Sequence, residues 1–466
     1  MERELGGVKS RLPPDWAISP LGDLATAIQY GYTEKAQQEQ VGPRFLRITD
    51  IQNDSVDWNE VPFCVIDEKN KEKYRLQQGD LVFARTGATV GKSFLITGSI
   101  PESVFASYLI RVRLRADIEP KYVSYFFRSN DYWRQISESQ AGIGQPNVNG
   151  KKLAQIQIPL APLDQQKRIV AEIEKQFSRL DEAVANLKRV KANLKRYKAA
   201  VLKAAVEGRL VETEAERARR ECRSYETGDQ LLQRILETRR SQWQGKGKYK
   251  EPAAPDTTDL IELSEGWVWA NCGAVLSGIE AGASFKCVER PPAEDETGVL
   301  KVSAVTWGTF NEWESKTCSD PDRIEEDYLV RQGDFLFSRA NTIDLVGACV
   351  IVHKISKRLM LSDKTLRFKI ASSVSEQWLL ICLRTKFGRG EIERLATGNQ
   401  ESMRNIGQDR IRQIRIPLPP IAEQHRIVAE VDRRLSLLRV TEAQVNANLQ
   451  RAERLRQSIL SKVFSA

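Results

Sequence analysis

Apolar residues recur at alternating steps of three and four along a stretch near the middle of the chain. They are Ile173, Phe177, Leu180, Val184, Leu187, Leu194 and Val201, and Lys191 and Lys198 interrupt the series. This spacing is the a and d seam of a coiled coil, and it predicts one long amphipathic helix. A single helix over residues 164–208 would be roughly 67 Å long at a rise of about 1.5 Å per residue.

The same pattern returns 258 positions later. Its apolar residues are Val431, Leu435, Leu438, Val445, Leu449, Ala452, Ile459 and Val463. The preceding sequence repeats as well, because the motifs Ile-Pro-Leu and Gln-x-Arg-Ile-Val-Ala-Glu begin at Ile158 and Gln166 and again at Ile416 and Gln424. A constant offset over so long a stretch indicates an internal duplication. Because neither helix can leave its seam in water, we expect the two helices to pack on each other.

Outside the helices, the apolar pattern changes to short runs bounded by glycine, proline or aspartate. Phe45–Ile48, Asp80–Ala84 and Leu109–Leu114 are examples, and such runs are typical of strands. The apolar residues within 121–137 predict a helix that packs on the sheet formed by these strands. Residues 261–421 repeat this order with drifting offsets.

The predicted fold class is therefore α+β, with two similar mixed α/β domains separated by two long helices that form an antiparallel coiled coil with pseudo-twofold symmetry. The predicted segments are a first globular domain at 1–163, a central long helix at 164–210, a helical and basic linker at 211–260, a second globular domain at 261–421 and a C-terminal long helix at 422–466.

The distribution of charge bears on the kind of partner. The formal net charge is +9. Residues 164–210 hold 12 Lys and Arg against 6 Asp and Glu, and residues 422–466 hold 8 against 5, so the helices carry the whole surplus. The basic surplus favours a nucleic-acid partner. For the helices taken alone, an equally good explanation of their charge is that their polar faces are simply solvated.

Other features of the composition exclude several classes of protein. No apolar run reaches the roughly 18 residues of a membrane span, so no membrane partner is expected. The seven cysteines are scattered and never form a CxxC spacing, which argues against a disulfide framework and a zinc site. We expect a cytoplasmic protein that binds no metal.

The sequence lacks catalytic motifs. Its two histidines, His353 and His425, have no partner histidine at metal-binding spacing. There is no GxSxG elbow, no Rossmann GxGxxG and no Asn-Pro-Pro-Tyr methyltransferase signature, and Gly87–Ser93 is one residue too short for a phosphate-binding P-loop. We therefore expect no catalytic residue and no enzymatic activity by this chain alone.

Candidate nucleic-acid contacts lie in loops that contain Arg, Lys, Thr, Gln and Asn. In the first domain they are Arg85, Thr86, Thr89, Lys92, Gln145 and Asn147. In the second domain they are Arg339, Asn341, Thr342, Gln400 and Arg404. Arg can bind guanine, and Asn or Gln can bind adenine, through paired hydrogen bonds, and these side chains also reach phosphates. The alternative is that they are ordinary turn residues.

Several features of the sequence form a distinctive combination. They are the tandem plan, the segments Gly79–Gly91 and Gly333–Arg339, the Gln145-Pro146-Asn147 loop and above all the two IPL…QxRIVAE helices. Along essentially the whole chain, it resembles the specificity subunit of type I restriction-modification systems. The resemblance implies two target-recognition domains that read an asymmetric, bipartite sequence in double-stranded DNA.

The resemblance also implies partners. The helices would act as a spacer and as a docking surface for two modification subunits, which methylate adenine with S-adenosylmethionine. Restriction subunits would add translocation and cleavage with ATP and magnesium, so this chain itself is expected to bind no cofactor. One departure is local: Arg339-Ala340-Asn341-Thr342 replaces the RTGxTxG loop of the first domain, so individual DNA contacts do not transfer.

Two other functions remain open at this point. The chain could be a coiled-coil scaffold whose end domains bind proteins or RNA, and salt-dependent binding to duplex DNA would separate that function from DNA recognition. It could also be a self-contained nuclease or methyltransferase, which would require cleavage or methyl transfer by the purified chain without partners.

Overall fold

The computed structural model describes residues 12–464 except 53, 87–88, 141–147, 245–246, 285 and 401–402. Within this range the chain divides into two compact units. The first comprises the described residues up to 190 and those from 444 onward, and the second comprises residues 191–443. Each unit therefore contains one globular domain and part of both long helices.

The first unit contains the helices and strands of the first domain and the start of the first long helix. They are β1 (Ala17–Pro20), α1 (Leu21–Leu24), β2 (Ala25–Tyr30), β3 (Arg44–Leu46), β4 (Ile51–Gln52), β5 (Ser55–Val56), α2 (Glu68–Tyr74), β6 (Leu81–Ala84), β7 (Ser93–Leu95), β8 (Ser103–Phe105), β9 (Leu109–Leu114), α3 (Pro120–Phe126), α4 (Asn130–Gln140), α5 (Gly150–Ala154), β10 (Gln157–Leu160) and α6 (Leu163–Val206). The segment predicted as one helix over 121–137 is thus two helices, α3 and α4.

The second unit contains the linker and the second domain. Its elements are α7 (Glu214–Arg220), α8 (Gly228–Ser241), β11 (Val268–Asn271), α9 (Cys272–Val275), β12 (Leu276–Ala281), β13 (Cys287–Val288), β14 (Thr297–Leu300), β15 (Ser315–Cys318), β16 (Phe335–Ser338), β17 (Ala340–Asn341), β18 (Cys349–Ile351), β19 (Arg358–Met360), β20 (Thr365–Ile370), α10 (Glu376–Arg384), α11 (Lys386–Leu395), β21 (Thr397–Gln400), β22 (Met403–Asn405), α12 (Gln408–Ile411), β23 (Arg415–Leu418) and the start of α13 (Ile421–Phe464).

The central sheets of the two units have one topology. Antiparallel strands lie in the order β2-β9-β6-β7 in the first unit and β12-β20-β16-β18 in the second. Each unit adds a parallel pair, β3 with β8 and β14 with β19. Apolar side chains of each sheet pack against the helices that follow it, which gives each unit its own core. The predicted α+β architecture with a duplicated domain is confirmed.

The two long helices are equal in length, and each contains 44 residues. In the first unit, Phe177 near the start of α6 shares the core with Leu460 and Phe464 at the end of α13. In the second unit, Val201 near the end of α6 shares the core with Val431 near the start of α13. At both places the end of one helix packs on the start of the other, which confirms the predicted antiparallel pairing.

The predicted seam residues differ in burial. Those that are buried are Ile173, Phe177, Val201, Val431, Val445 and Ala452. Those that are half-buried are Leu180, Val184, Leu187, Leu194, Leu435, Leu438, Leu449, Ile459 and Val463. The helix α6 ends where Gly208 adopts a φ of 68°, a left-handed conformation that glycine accepts without a steric penalty.

Two hydrogen-bonded side chains join α6 to the first domain. Gln166 is buried at the first turn of the helix, and its Nε2 donates to the carbonyl of Ala161 at 2.8 Å while its Oε1 accepts from the backbone N–H of Glu119 at 2.9 Å. The Tyr122 hydroxyl donates to the carbonyl of Pro159 at 2.6 Å. Buried backbone groups at the entry to the helix are thereby satisfied.

The same joint exists in the second unit, at the repeated positions. Gln424 Nε2 donates to the carbonyl of Pro419 at 2.8 Å, and its Oε1 accepts from the backbone N–H of Ser375 at 2.9 Å. The Trp378 indole donates to the carbonyl of Pro417 at 3.1 Å. The glutamine of the repeated motif is therefore explained by the joint between helix and domain.

A third hydrogen bond differs between the units. The Trp16 indole donates to Oε1 of Gln165 at 2.9 Å in the first unit. In the second unit the Trp267 indole donates to Oε1 of Glu423 at the same distance, and Oε2 of this fully buried carboxylate accepts from the backbone N–H of Glu214 at 2.8 Å. Burial raises the pKa of Glu423, although both hydrogen bonds oppose the shift.

Candidate nucleic-acid interface

Arg85 follows strand β6 at the edge of the central sheet of the first unit. Its backbone N–H donates to the carbonyl of Tyr108 at 3.0 Å, and its carbonyl accepts from the N–H of Val148 at 3.0 Å. The guanidinium carbon lies 5.1 Å from the centroid of the Tyr30 ring, within the range of a cation–π contact. Arg85 Nε is buried and has no hydrogen-bond partner among the described residues.

The aromatic ring under Arg85 is itself held in place. The Tyr30 hydroxyl accepts a hydrogen bond from the backbone N–H of Gly150 at 2.9 Å, at the start of α5. Tyr30 and Tyr108 are both exposed, at 41% and 62%. The sequence analysis missed these two tyrosines, and the available signal was an aromatic residue at the end of one strand and another just before the start of a second.

Three other candidates of the first domain lie close to Arg85 in sequence. Thr86 and Thr89 are half-buried, and Lys92 is exposed. The turn is closed because the backbone N–H of Lys92 donates to the carbonyl of Thr89 at 3.0 Å. Gln145 and Asn147 lie outside the described residues.

Arg339 occupies the corresponding position in the second unit. Its N–H donates to the carbonyl of Lys364 at 3.0 Å, and its carbonyl accepts from the N–H of Ile406 at 2.9 Å, as in the frame of Arg85. Asn341 in β17 pairs with Arg404 in β22. Strands β17, β22 and β21 form a small sheet that brings Arg339, Asn341 and Arg404 together.

Local hydrogen bonds hold the side chains of this small sheet. Arg404 Nη1 donates to the carbonyl of Gly398 at 2.6 Å, and Asn341 Oδ1 accepts from the N–H of Thr342 at 2.8 Å. Thr342 is exposed. Gln400 lies at the end of β21, and its side chain is outside the description.

Two long side chains brace the loop that follows Asn341. The Trp307 indole donates to the carbonyl of Asp344 at 2.7 Å, and Arg389 donates to the carbonyl of Ile343 at 2.9 Å. The Arg389 guanidinium also lies 4.4 Å from the Trp307 ring centroid. The sequence analysis missed both residues because they are distant from the loop in the chain.

The repeated Gly-Asp pair has a structural role. Asp80 is buried and accepts hydrogen bonds from Arg113 Nε and Nη2, both at 2.8 Å. Its hydrogen bonds raise the pKa of Arg113, against the opposing effect of burial. In the second unit Asp334 pairs with Arg367 at 3.1 Å. These ion pairs brace the sheet behind the candidate loops.

Searches of the described residues limit other kinds of site. No group of three or more His, Cys, Asp or Glu side chains within the described ranges could hold a metal ion. In the same part of the chain, no helix combines the length and apolar character needed to cross a membrane.

The chain is similar to known proteins in both sequence and fold. The family model for the type I restriction modification DNA specificity domain matches residues 13–196. The chain is 25% identical over 470 residues to the EcoKI specificity subunit of Escherichia coli strain K12, which covers 97% of this chain and 89% of that protein.

A second relative matches more closely over a shorter region. The chain is 30% identical over 267 residues to the EcoEI specificity subunit of Escherichia coli, and the match spans 56% of this chain but only 43% of that relative. In fold, the chain is similar to one from a structure describing complex assembly and conformational transition of the type I R-M system. That similarity has a TM-score of 0.65 at 18% identity and covers 97% of this chain and 98% of the other.

The duplicated domains, the helix pair and a relative aligned along nearly the whole length make this chain similar to type I restriction-modification specificity subunits, and residues 13–196 match the model of the specificity domain.

Proposed function

We propose that this chain reads a bipartite, asymmetric sequence in duplex DNA, with one half-site recognised by each domain. The observation that carries the proposal is the common frame around Arg85 and Arg339. In both units an arginine leaves the central sheet with its N–H and its carbonyl held by equivalent main-chain partners, while the neighbouring side chains differ. One scaffold with two sets of side chains suits two unlike half-sites.

The chemistry of the side chains in these loops supports DNA as the ligand. Arginine binds the O6 and N7 atoms of guanine in the major groove through paired hydrogen bonds, and such a contact discriminates against the wrong base by about 1–3 kcal/mol. The ring of Tyr30 limits the motion of the Arg85 guanidinium, so less conformational entropy is lost when a base is bound.

The proposed partners follow from the family. We infer that the helix pair docks two modification subunits, which methylate adenine with S-adenosylmethionine, and that restriction subunits supply ATP- and magnesium-dependent translocation and cleavage. The helices would also set the distance between the half-sites, because a packed helix pair does not stretch. The chain itself supplies recognition rather than catalysis.

The test is methylome sequencing of cells that express this chain with its cognate modification subunit. We expect methylated adenines confined to one split, asymmetric motif. With the half-sites known, binding is then measured for Arg85→Ala and Arg339→Ala. Each variant should lose about 1–3 kcal/mol of affinity, roughly 5- to 150-fold, for one half-site and leave discrimination at the other intact.

A matched control keeps the overall charge change constant. Arg115→Ala removes an exposed arginine of the first domain that pairs with Asp117. It should leave recognition of both half-sites unchanged. Equal loss at both half-sites with Arg85→Ala, or no methylated motif despite a stable complex, would count against one domain per half-site.

The spacer role has its own test. Insertion of one heptad into both α6 and α13 lengthens the pair by roughly 10 Å, since each helical residue rises about 1.5 Å. The preferred spacer should grow by about three base pairs at about 3.4 Å each. An unchanged spacer in the methylome would refute this role.

A further inference from the structure

Two cysteines face each other across a pair of strands in the second unit. Strand β13 pairs with β15 antiparallel, with Cys287 opposite Cys318 and Val288 opposite Thr317. Directly opposite residues of an antiparallel pair have Cα atoms about 4.5–5.5 Å apart. A disulfide spans Cα atoms about 4.4–6.8 Å apart, so the Cα separation of this register lies within the range of a disulfide.

The surroundings of the two thiols leave them accessible. Both residues are half-buried. Burial raises the pKa of the Cys287 thiol, and the neighbouring Cys318 thiol contributes in the same direction. The Cys318 thiol donates a weak hydrogen bond to the carbonyl of Asp320 at 3.2 Å.

The other cysteines are placed differently. Those that are buried are Cys64, Cys272, Cys349 and Cys382. Cys222 is exposed and lies after the last turn of α7, outside any described strand. Among the described strand pairings, only Cys287 and Cys318 form a pair of opposed cysteines.

The first unit provides an internal comparison. There Phe63 forms β-bridges with Arg44 and Gln37. In the second unit, Thr317 pairs with Gly298 and Val288 in the same way. Cys64 follows Phe63 as Cys318 follows Thr317, but residue 36 before Gln37 is alanine. The thiol pair therefore belongs to one of the two duplicated domains.

We propose that Cys287 and Cys318 form a reversible disulfide that fastens the segment between β12 and β14 to strand β15. The oxidant is a low-molecular-weight disulfide such as oxidised glutathione. One cysteine thiolate attacks this disulfide and releases one glutathione thiol, and the second cysteine attacks the mixed disulfide and releases the other. Two cysteine thiols and one glutathione disulfide thus give one protein disulfide and two glutathione thiols.

The bond would act where the sheet is weakest. Strand β13 has two residues and lies at the edge of the sheet β13-β15-β14-β19. Short edge strands open easily, and a covalent link to β15 would suppress that opening. The effect concerns the second unit alone and does not depend on DNA binding.

The experiment uses the full chain, equilibrated with oxidised and reduced glutathione at several ratios and then alkylated. We expect mass spectrometry to find the peptides of Cys287 and Cys318 joined, with loss of two hydrogen atoms, and dithiothreitol to reverse the change. Hydrogen exchange of residues 286–290 should slow in the oxidised form, whereas exchange around Cys64 should not change.

Variants separate this bond from unspecific oxidation. Cys222→Ser removes an exposed thiol and should leave the joined peptides unchanged. Cys287→Ser and Cys318→Ser should each abolish the joined peptides and leave the remaining cysteine as a mixed disulfide with glutathione. If the unmodified chain instead carries glutathione on Cys287 and Cys318 separately, or keeps both thiols reduced at every ratio, the proposal is wrong.

Discussion

The joints at the base of the two long helices are nearly identical, whereas the loops at the edges of the two central sheets are not. Gln166 and Gln424 make the same two hydrogen bonds with matching distances. By contrast, the residues that follow Arg85 in the first loop differ in type from those that follow Arg339 in the second. The fold thus constrains the joints and leaves the loops free to vary, because a buried polar group without its partner costs about 1–3 kcal/mol, while an exposed loop residue can change with little effect on stability.

One position of the joint departs from this identity. Gln165 in the first unit corresponds to Glu423 in the second, and each accepts a hydrogen bond from a tryptophan indole. The carboxylate of Glu423 has a second oxygen that accepts from the N–H of Glu214, in the linker. The second joint therefore anchors the linker as well as the domain, which requires two acceptors where the first joint uses one.

The largest expected effect comes from the aromatic residue of each joint. Trp378→Ala removes a fully buried indole and its hydrogen bond to Pro417, and should lower the free energy of unfolding of the second unit by about 3–5 kcal/mol. Tyr122→Ala should do the same in the first unit. Hydrogen exchange resolved by peptide, combined with urea unfolding, assigns each loss to a unit.

For each of these two variants, the unit without the substitution serves as the internal control. With Trp378→Ala, peptides of the first sheet should keep their protection, and with Tyr122→Ala, peptides of the second sheet should. Equal loss of protection in both units would show that they unfold together, and the comparison of separate joints would fail.

A smaller effect is expected at the repeated glutamines. Gln166→Ala and Gln424→Ala each leave a half-buried backbone N–H and a buried carbonyl without their partner, and each should cost about 1–3 kcal/mol. Because the two joints match, the two losses should agree closely in urea unfolding. Gln176→Ala is the control: this half-buried glutamine of α6 makes an exposed hydrogen bond to Glu172, so its loss should change stability little. A large loss at only one glutamine would break the equivalence.

The smallest effect concerns pH. Burial raises the pKa of Glu423 above its ordinary value of 4.5, so the folded state holds this proton more tightly than the unfolded state. The resulting stabilisation is fully present below pH 4.5 and is lost as pH rises through the raised pKa. The slope contributed by one such group is at most about 1.4 kcal/mol per pH unit.

Glu423→Gln places the residue of the first joint in the second and should flatten the fall in stability above pH 4.5. Glu442→Gln, on an exposed part of α13, is the matched control and should keep the slope. Urea unfolding over a series of pH values measures both. If Glu423→Gln retains the slope of the unmodified chain, another group causes it.

Periodicity and repetition made much of the architecture predictable. The seam spacing and the constant offset identified two helices whose observed ends differ from the expected bounds by a few residues. The prediction of one helix over residues 121–137 was wrong in detail, because residues 127–129 separate α3 from α4. Hydrophobic spacing reports the buried face of a helix and is insensitive to a short break between two helices.

The candidate interface was predictable only in part. Arg85 and Arg339 could be chosen because each follows a strand at a repeated position, and their role in DNA contact stays a prediction. The loop glycine Gly91 also has a counterpart, since Gly347 adopts a φ of 79° against 83° in Gly91. The two glycines are 256 positions apart, whereas the helix motifs repeat at 258 positions, so the repeat of the helix motifs does not identify this pair.

The duplication, the two helices, the α+β class and the resemblance to type I specificity subunits could all be inferred from the sequence, because periodicity and repeated motifs are properties of order along the chain. Only the tertiary structure decided that Tyr30 lies beneath Arg85, that Trp307 and Arg389 brace the second loop, and that Cys287 faces Cys318. These contacts join residues far apart in sequence. Their geometry depends on strand register and on the packing of whole elements, which no local pattern specifies.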